Sequence, residues 1–208
     1  MFETRATISH LGMDKVAEER KGKIQGIHML VCSLFSTGPQ WSRAKDPFLY
    51  AREVREQALD VLFIRSQSKP KANPFFELGP IRKVTTGFEK GERFLFQCDF
   101  NPTKTKQGSL VDIVTDEQQN SKQPRTREEL VFEWWQKREE HKGFRVHALR
   151  TAFHRKYDMP RDGRCMSVMR VVGDIEVADP KKFQSFFETG IGKEKAKGCG
   201  MLLLGSHQ

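Results

Sequence analysis

Apolar and polar residues alternate loosely along Phe2-Glu3-Thr4-Arg5-Ala6-Thr7-Ile8, the period of a half-buried strand. Asp14 is placed to cap a helix from Lys15 to Phe35, in which Ile24, Ile27, Val31 and Leu34 recur at helical spacing. Gly22 and Gly26 weaken its first half, by about 1 kcal/mol each against alanine. Ser36 to Asp46, with Gly38 and Pro39, reads as a loop. Phe48 to Val54 and Leu59 to Ser66 are apolar and aromatic and read as a hairpin. Lys69 to Asn73 is a basic connector, and Asn73-Pro74 marks a turn. From Arg93 to Phe100 the alternation returns, with Phe94, Phe96, Cys98 and Phe100 on one face and Asn101-Pro102 as the stop.

Beyond that stop the rhythm begins again. Lys104 to Asn120 is polar, with a short strand expected at Leu110 to Val114. Thr126-Arg127-Glu128-Glu129 is a capping box that predicts a helix from Arg127 to His141, with Leu130, Trp134 and Trp135 inward. Phe144 to Arg155 and Met166 to Val177 are strands around a hairpin tip at Met159 to Arg164. Asp179-Pro180 opens a further helix with Phe183, Phe186 and Phe187 buried and Gly190 as its stop, and Met201 to Leu204 is a last strand. Strands and helices thus mix in each half, which argues α+β or α/β with two similar halves, residues 1–100 and 101–208. The ferredoxin-like split βαβ unit is the natural candidate.

Charge adds a partner class. Thirty-six Lys and Arg against 27 Asp and Glu leave +9, an excess that favours an anionic partner, nucleic acid being the commonest. The same balance also suits a basic enzyme or a protein of the membrane surface. Apolar runs are far too short for a membrane span, and the first fourteen residues carry two acids and no apolar core, so no signal peptide is expected. Cys32, Cys98, Cys165 and Cys199 stand 66, 67 and 34 apart, which makes neither a zinc pair nor a disulfide framework. A reducing cytoplasm, with no metal and no cofactor, is the expectation.

Three constellations carry chemistry. Gly190 to Gly200 holds four glycines and three lysines, Lys193, Lys195 and Lys197, in eleven residues. Glycines let a backbone approach an anion and lysines neutralise phosphate, although an ordinary solvated turn has the same composition. Glu194 stands where a phosphate-binding Walker loop needs Ser or Thr. Arg155, Lys156, Arg161, Arg164 and Arg170 surround one hairpin tip, a shape suited to RNA grooves and equally to an exposed polar hairpin. His28, beside Ile24, Ile27, Val31 and Phe35, is either a core-edge residue or a general acid–base group. His141, His147 and His154 fit no ligand spacing and read as surface residues.

Gly190-Ile191-Gly192-Lys193-Glu194-Lys195-Ala196-Lys197-Gly198-Cys199-Gly200-Met201-Leu202-Leu203-Leu204 resembles the closing signature of the CRISPR-associated repeat-processing endoribonucleases of the Cascade subtype I-E. Phe48-Leu49-Tyr50, the stretch Asn101-Pro102-Thr103-Lys104-Thr105 and Val171 to Val177 with Asp179 follow in that family's order, so the resemblance covers nearly the whole chain. It implies an α+β protein of two tandem ferredoxin-like (RRM-like) domains. It also implies metal-independent cleavage of CRISPR repeat RNA at the base of its hairpin, and retention on the crRNA 3′ hairpin beside other Cascade subunits. The family's catalytic histidine lies seven residues before a phenylalanine on the first helix, and His28 with Leu34-Phe35 fits. Where members commonly carry tyrosine, three residues earlier, this chain has Gln25, which can orient a phosphate but cannot donate a proton. A non-catalytic subunit that only holds the RNA hairpin is therefore the rival expectation.

Overall fold

A computed structural model of the protein describes residues 1–18, 22–36, 38, 41–53, 59–84, 87–159 and 164–206, with the Arg164 side chain left undescribed. It is a mixed α+β chain with antiparallel sheets, divided into two compact units. Among the described residues no helix is long and apolar enough to cross a membrane.

The first unit comprises Met1–Thr85, Asp158–Cys165 and Lys195–Gly198. Its elements are β1 (Phe2–Ile8), α1 (His10–Glu18), α2 (Lys23–Ser33), β2 (Phe48–Glu53), β3 (Val61–Ser66), β4 (Phe76–Leu78) and β5 (Arg82–Lys83). The sheet runs β2-β3-β1-β4, with β5 also on β1. Alternation on β1 turns Thr4, Ala6 and Ile8 inward, and the register sets Ala6 opposite Leu62 and Thr4 opposite Ile64. Ile27, Val31, Leu34 and Phe35 cover this face from the helical side. The expected Phe48–Ser66 hairpin forms as β2 and β3, while residues 54–58 lie outside the described part.

The single helix expected from Lys15 to Phe35 is instead two. Ser9 starts the first, its hydroxyl accepting from Gly12 N at 3.1 Å, so the cap is Ser9 and not Asp14. The second starts after Gly22, whose φ of 84° suits glycine and no helix interior. Residues 19–21 of the expected helix lie outside the described part.

The second unit comprises Thr86–Tyr157, Met166–Glu194 and Cys199–Gln208. It holds β6 (Arg93–Phe100), β7 (Thr103–Lys106), β8 (Ser109–Asp112), α3 (Ile113–Asn120), α4 (Arg127–Gln136), α5 (Glu139–Lys142), β9 (Phe144–Met159), β10 (Arg164–Val177), α6 (Pro180–Thr189) and β11 (Leu202–Ser206). Its sheet runs β11-β6-β10-β9. Strand β6, read above as the end of the first half, pairs with β10 and β11, so residues 86–100 group with the second unit and not with the first.

The capping box of α4 is present, with Thr126 and Glu129 each satisfying the other's backbone N–H. Asp179 caps α6 by accepting from Lys181 N and Lys182 N. The polar stretch 104–120 departs from expectation: β7 and β8 form a hairpin and a helix follows at once. Gln107 and Gly108 both take positive φ, 49° and 80°, the geometry of a tight hairpin turn. The Asp112 carboxylate then caps α3 through Val114 N and Thr115 N.

Trp134 and Trp135 are both buried, at 5% and 0% exposure, so neither ring is offered to solvent. Trp135 lies among Phe96, Phe100, Phe144 and Phe186, and its Nε1 has no partner among the described residues. Truncating it leaves a cavity, at about 3–5 kcal/mol for Trp→Ala. Phenylalanine keeps most of the packing and removes an unsatisfied N–H that itself costs about 1–3 kcal/mol. Trp135→Ala is therefore expected to destabilise strongly and Trp135→Phe far less, as read from urea midpoints. Equal losses would show that the indole N–H is satisfied.

Candidate functional site

Helix α2 carries both residues singled out near its middle, and their three-residue spacing puts them on one face. His28 and Gln25 are each half-buried. The end of the helix is anchored by Leu34 and Phe35, both nearly inaccessible, and the Phe35 ring stacks on Phe48 at 5.0 Å with 16° between planes. Phe48 in turn meets the His28 ring at 6.1 Å. The imidazole is therefore positioned by the packing of the helix end on the first residue of β2.

Around the ring, His28 Nε2 lies 3.6 Å from Cys32 Sγ, a weak contact one helical turn on. His28 Nδ1 is buried without a hydrogen-bond partner among the described residues. Burial, then the nearby positive charges of Arg43 and Lys197, depress the imidazole pKa to about 4. At neutral pH the ring is thus uncharged and able to accept a proton. Burial also pushes the Cys32 thiol up, so it stays protonated.

Arg43 escaped sequence reading. It sits in the loop before β2, with its guanidinium over the Phe48 ring at 5.0 Å and one N–H donating to the Phe48 carbonyl at 2.7 Å. Tyr50 also escaped, and it holds the lysine side of the site. Its hydroxyl donates to the Ala196 carbonyl at 3.2 Å, and its ring lies against Gly198, where an added Cβ would come within 2.8 Å of Cε2. Gly198 also has φ +85°, so glycine is required there both for space and for backbone. This seats the 3-10 turn Lys195–Lys197 against α2 and β2, and Lys197 within electrostatic reach of His28. No spacing rule flags a loop arginine or a strand tyrosine. The buried run Phe48-Leu49-Tyr50 reads as core, and only the fold reveals what its edge supports.

Of the glycine-rich segment, Lys195 and Lys197 belong to the first unit with His28 and Gln25, whereas Lys193 is exposed in the second. In the second unit Ile191 N donates to the Gly200 carbonyl and Gly200 N to that of Asp99. Among the hairpin cations, Arg155 and Lys156 are exposed on β9. Arg161 and the Arg164 side chain lie outside the described part.

Arg170 is no tip residue. Its guanidinium forms two hydrogen bonds with buried Asp99, at 2.6 and 2.8 Å, and lies 4.7 Å over the Phe153 ring. Such a paired cation fixes β10 to β6. His154, read as a surface residue, is instead half-buried, with Nε2 2.6 Å from Ser167 Oγ, and burial lowers its pKa. Among the described residues, no cluster of three or more His, Cys, Asp or Glu could hold a metal ion.

Comparison with known proteins bears on the fold. Thermus thermophilus Cse3 bound to an RNA representing a pre-cleavage complex has a similar fold, with a TM-score of 0.80 and 18% identity over 98% of each chain. The CRISPR-associated protein Cas6e from Escherichia coli K-12 matches with a TM-score of 0.72 and 21% identity over 100% of each chain. A chain of a CRISPR RNA-guided surveillance complex matches with a TM-score of 0.68 and 19% identity, again over 100% of both. At these identities the likeness is one of fold. No curated protein matches the chain. A family profile described as CRISPR associated protein matches residues 1–205, nearly the whole sequence, and the chain belongs to that family.

Proposed function

We propose that this protein is a metal-independent endoribonuclease that cuts CRISPR repeat RNA at the base of its hairpin and remains on the product as a Cascade subunit in the cytoplasm. The observation that carries the proposal is the neutral His28 imidazole beside Arg43 and Lys197, in a family member whose fold is shared with an RNA-bound Cse3. The sheet orders β2-β3-β1-β4 and β11-β6-β10-β9 support reading the chain as two ferredoxin-like domains, each built on a split βαβ unit. The first lacks a helix between β3 and β4 among the described residues.

In the reaction the ribose 2′-oxygen attacks the adjacent phosphorus, and His28 takes the 2′-hydroxyl proton as that bond forms. The bond from phosphorus to the 5′-oxygen breaks, and the departing oxygen takes a proton from the imidazolium or from solvent. The products are a 2′,3′-cyclic phosphate and a 5′-hydroxyl. A pKa near 4 leaves the ring deprotonated before RNA arrives, and the arriving phosphate anion raises it toward the working pH, where a general base is most effective. Gln25 orients the phosphate by donating from its amide. Lys195 and Lys197 offset charge on the non-bridging oxygens, and Lys193, Arg155, Lys156, Arg161 and Arg164 add further cations for the RNA backbone, while Arg170 is held by Asp99.

His28→Ala is expected to slow single-turnover cleavage of a repeat transcript from the same genome by at least about 10²-fold, with hairpin affinity retained. Cleavage in excess EDTA is expected to match that without it. Tight binding of intact RNA by the wild-type chain, with no fragments, would establish the rival, a non-catalytic hairpin-binding subunit.

The protonation state has its own test. In RNA-free protein the His28 ring is expected to titrate near pH 4 when followed by imidazole NMR. The unfolded chain takes up this proton at about pH 6.5, so folding stability falls as pH drops from 6.5 toward 4. A repeat with 2′-deoxyribose at the cleavage site is expected to raise the ring's pKa, because it brings a phosphate anion to the site. A ring titrating at 6.5 in the free protein would show that burial and the two cations do not perturb it.

A further inference from the structure

Most half-buried or buried arginines here face a carboxylate. Arg52 pairs with Asp60 at 2.9 Å, Arg65 with Glu3 at 2.5 Å and Arg170 with Asp99 at 2.6 Å. Arg43 is half-buried and has no carboxylate at ion-pair distance among the described residues. One of its five N–H donors goes to the Phe48 carbonyl, and Nε is buried without a partner. Taking a cation out of water without an anion is costly. An anion arriving from outside would offset that cost.

The placement of the head group says which anion. The Phe48 ring carries the Arg43 guanidinium at 5.0 Å and meets the His28 ring at 6.1 Å, so one aromatic side chain supports both groups. Arg138 is the useful contrast: it too is half-buried with no carboxylate partner among the described residues. It lies 3.4 Å over the Trp134 ring, its guanidinium donates to the Trp134 carbonyl, and no imidazole shares that ring. Among the described residues, only Arg43 joins a half-buried guanidinium without a carboxylate partner to a neutral histidine.

We infer that Arg43 is a catalytic contact of the reaction proposed above: its guanidinium binds a non-bridging oxygen of the scissile phosphate and draws the ribose 2′-hydroxyl against His28. The inference rests on that reading and adds a residue to it. A planar fork suits the two non-bridging oxygens better than an ammonium does, and its charge opposes the negative charge that grows there as the 2′-oxygen attacks. It also explains why cations stand beside a histidine: the same charge that keeps the base unprotonated holds its substrate.

The test uses the full chain and a repeat-hairpin transcript under single turnover, with wild type as the control. Arg43→Met keeps an apolar stem on Phe48 and removes the charge; melting curves check its fold, and Arg43→Lys restores charge without the fork. Arg43→Met is expected to slow cleavage about 10²–10³-fold and to change hairpin affinity by no more than about threefold, a loss specific to the transition state. Arg43→Lys is expected to fall between, and the His28 pKa in Arg43→Met to rise toward its ordinary value. Cleavage by Arg43→Met within about threefold of wild type, or an affinity loss as large as the rate loss, overturns the inference while the endoribonuclease reading stands. A wild-type chain that leaves the repeat intact overturns both. If Arg43→Met melts at the assay temperature, Arg43→Lys decides: full wild-type rate overturns the inference, and a loss of about tenfold or more with affinity retained sustains it.

Discussion

An imidazole half withdrawn from water, with two cations in electrostatic reach, resists protonation, and much of the first unit exists to keep it there. Burial supplies the larger share of that resistance and Arg43 and Lys197 the rest. Each contribution has a structural author. The end of α2, locked by Leu34 and Phe35, sets the depth of the ring; the Phe48 ring fixes Arg43; the Tyr50 bond to Ala196 and the bare Cα of Gly198 seat the lysine turn. None of these contacts is strong by itself. Their common result is an imidazole that is uncharged at neutral pH with two cations in electrostatic reach.

The two units serve different ends. The first spends its packing on positioning, with an aliphatic and aromatic core under one helix face. The second is an aromatic interior, Trp135 among four phenylalanines, in which α3, α4 and α6 are started by side-chain caps at Asp112, Thr126 and Asp179. Capping and edge-to-face ring contacts are local and directional, so this unit is firmly specified even where its surface is densely charged. Arg170 illustrates the division, since its guanidinium closes on Asp99 within the sheet.

Much of the fold was legible from the chain because its signals are local. Alternation on Phe2–Ile8 and Arg93–Phe100, the capping box at Thr126 and the Asp179-Pro180 start each report on a few neighbouring residues, and each element starts where expected, although the helix from Arg127 ends at Gln136 and not at His141. What failed to read was non-local or chemically disguised. Gln107-Gly108 makes a hairpin turn without the usual asparagine or aspartate, and β6 joins the second sheet by pairing with strands about eighty and a hundred residues on. In the candidate site, His28 and Lys197 stood out as residue types, but their proximity is a property of the fold. Arg43 gave no signal in sequence, because what sets it apart, the lack of a carboxylate partner among the described residues, is a property of the fold.

The chain reaches the first unit three times, the last visit being only the four residues Lys195–Gly198. The electrostatic setting of residue 28 is therefore written partly in a segment far along the polypeptide from it. During synthesis on the ribosome, an N-terminal portion that has already collapsed still lacks Lys197 and the carbonyl that receives the Tyr50 hydroxyl. The histidine acquires its final acidity only once residues 195–198 have been made and have docked, so a chain terminated before them carries an imidazole of a different character.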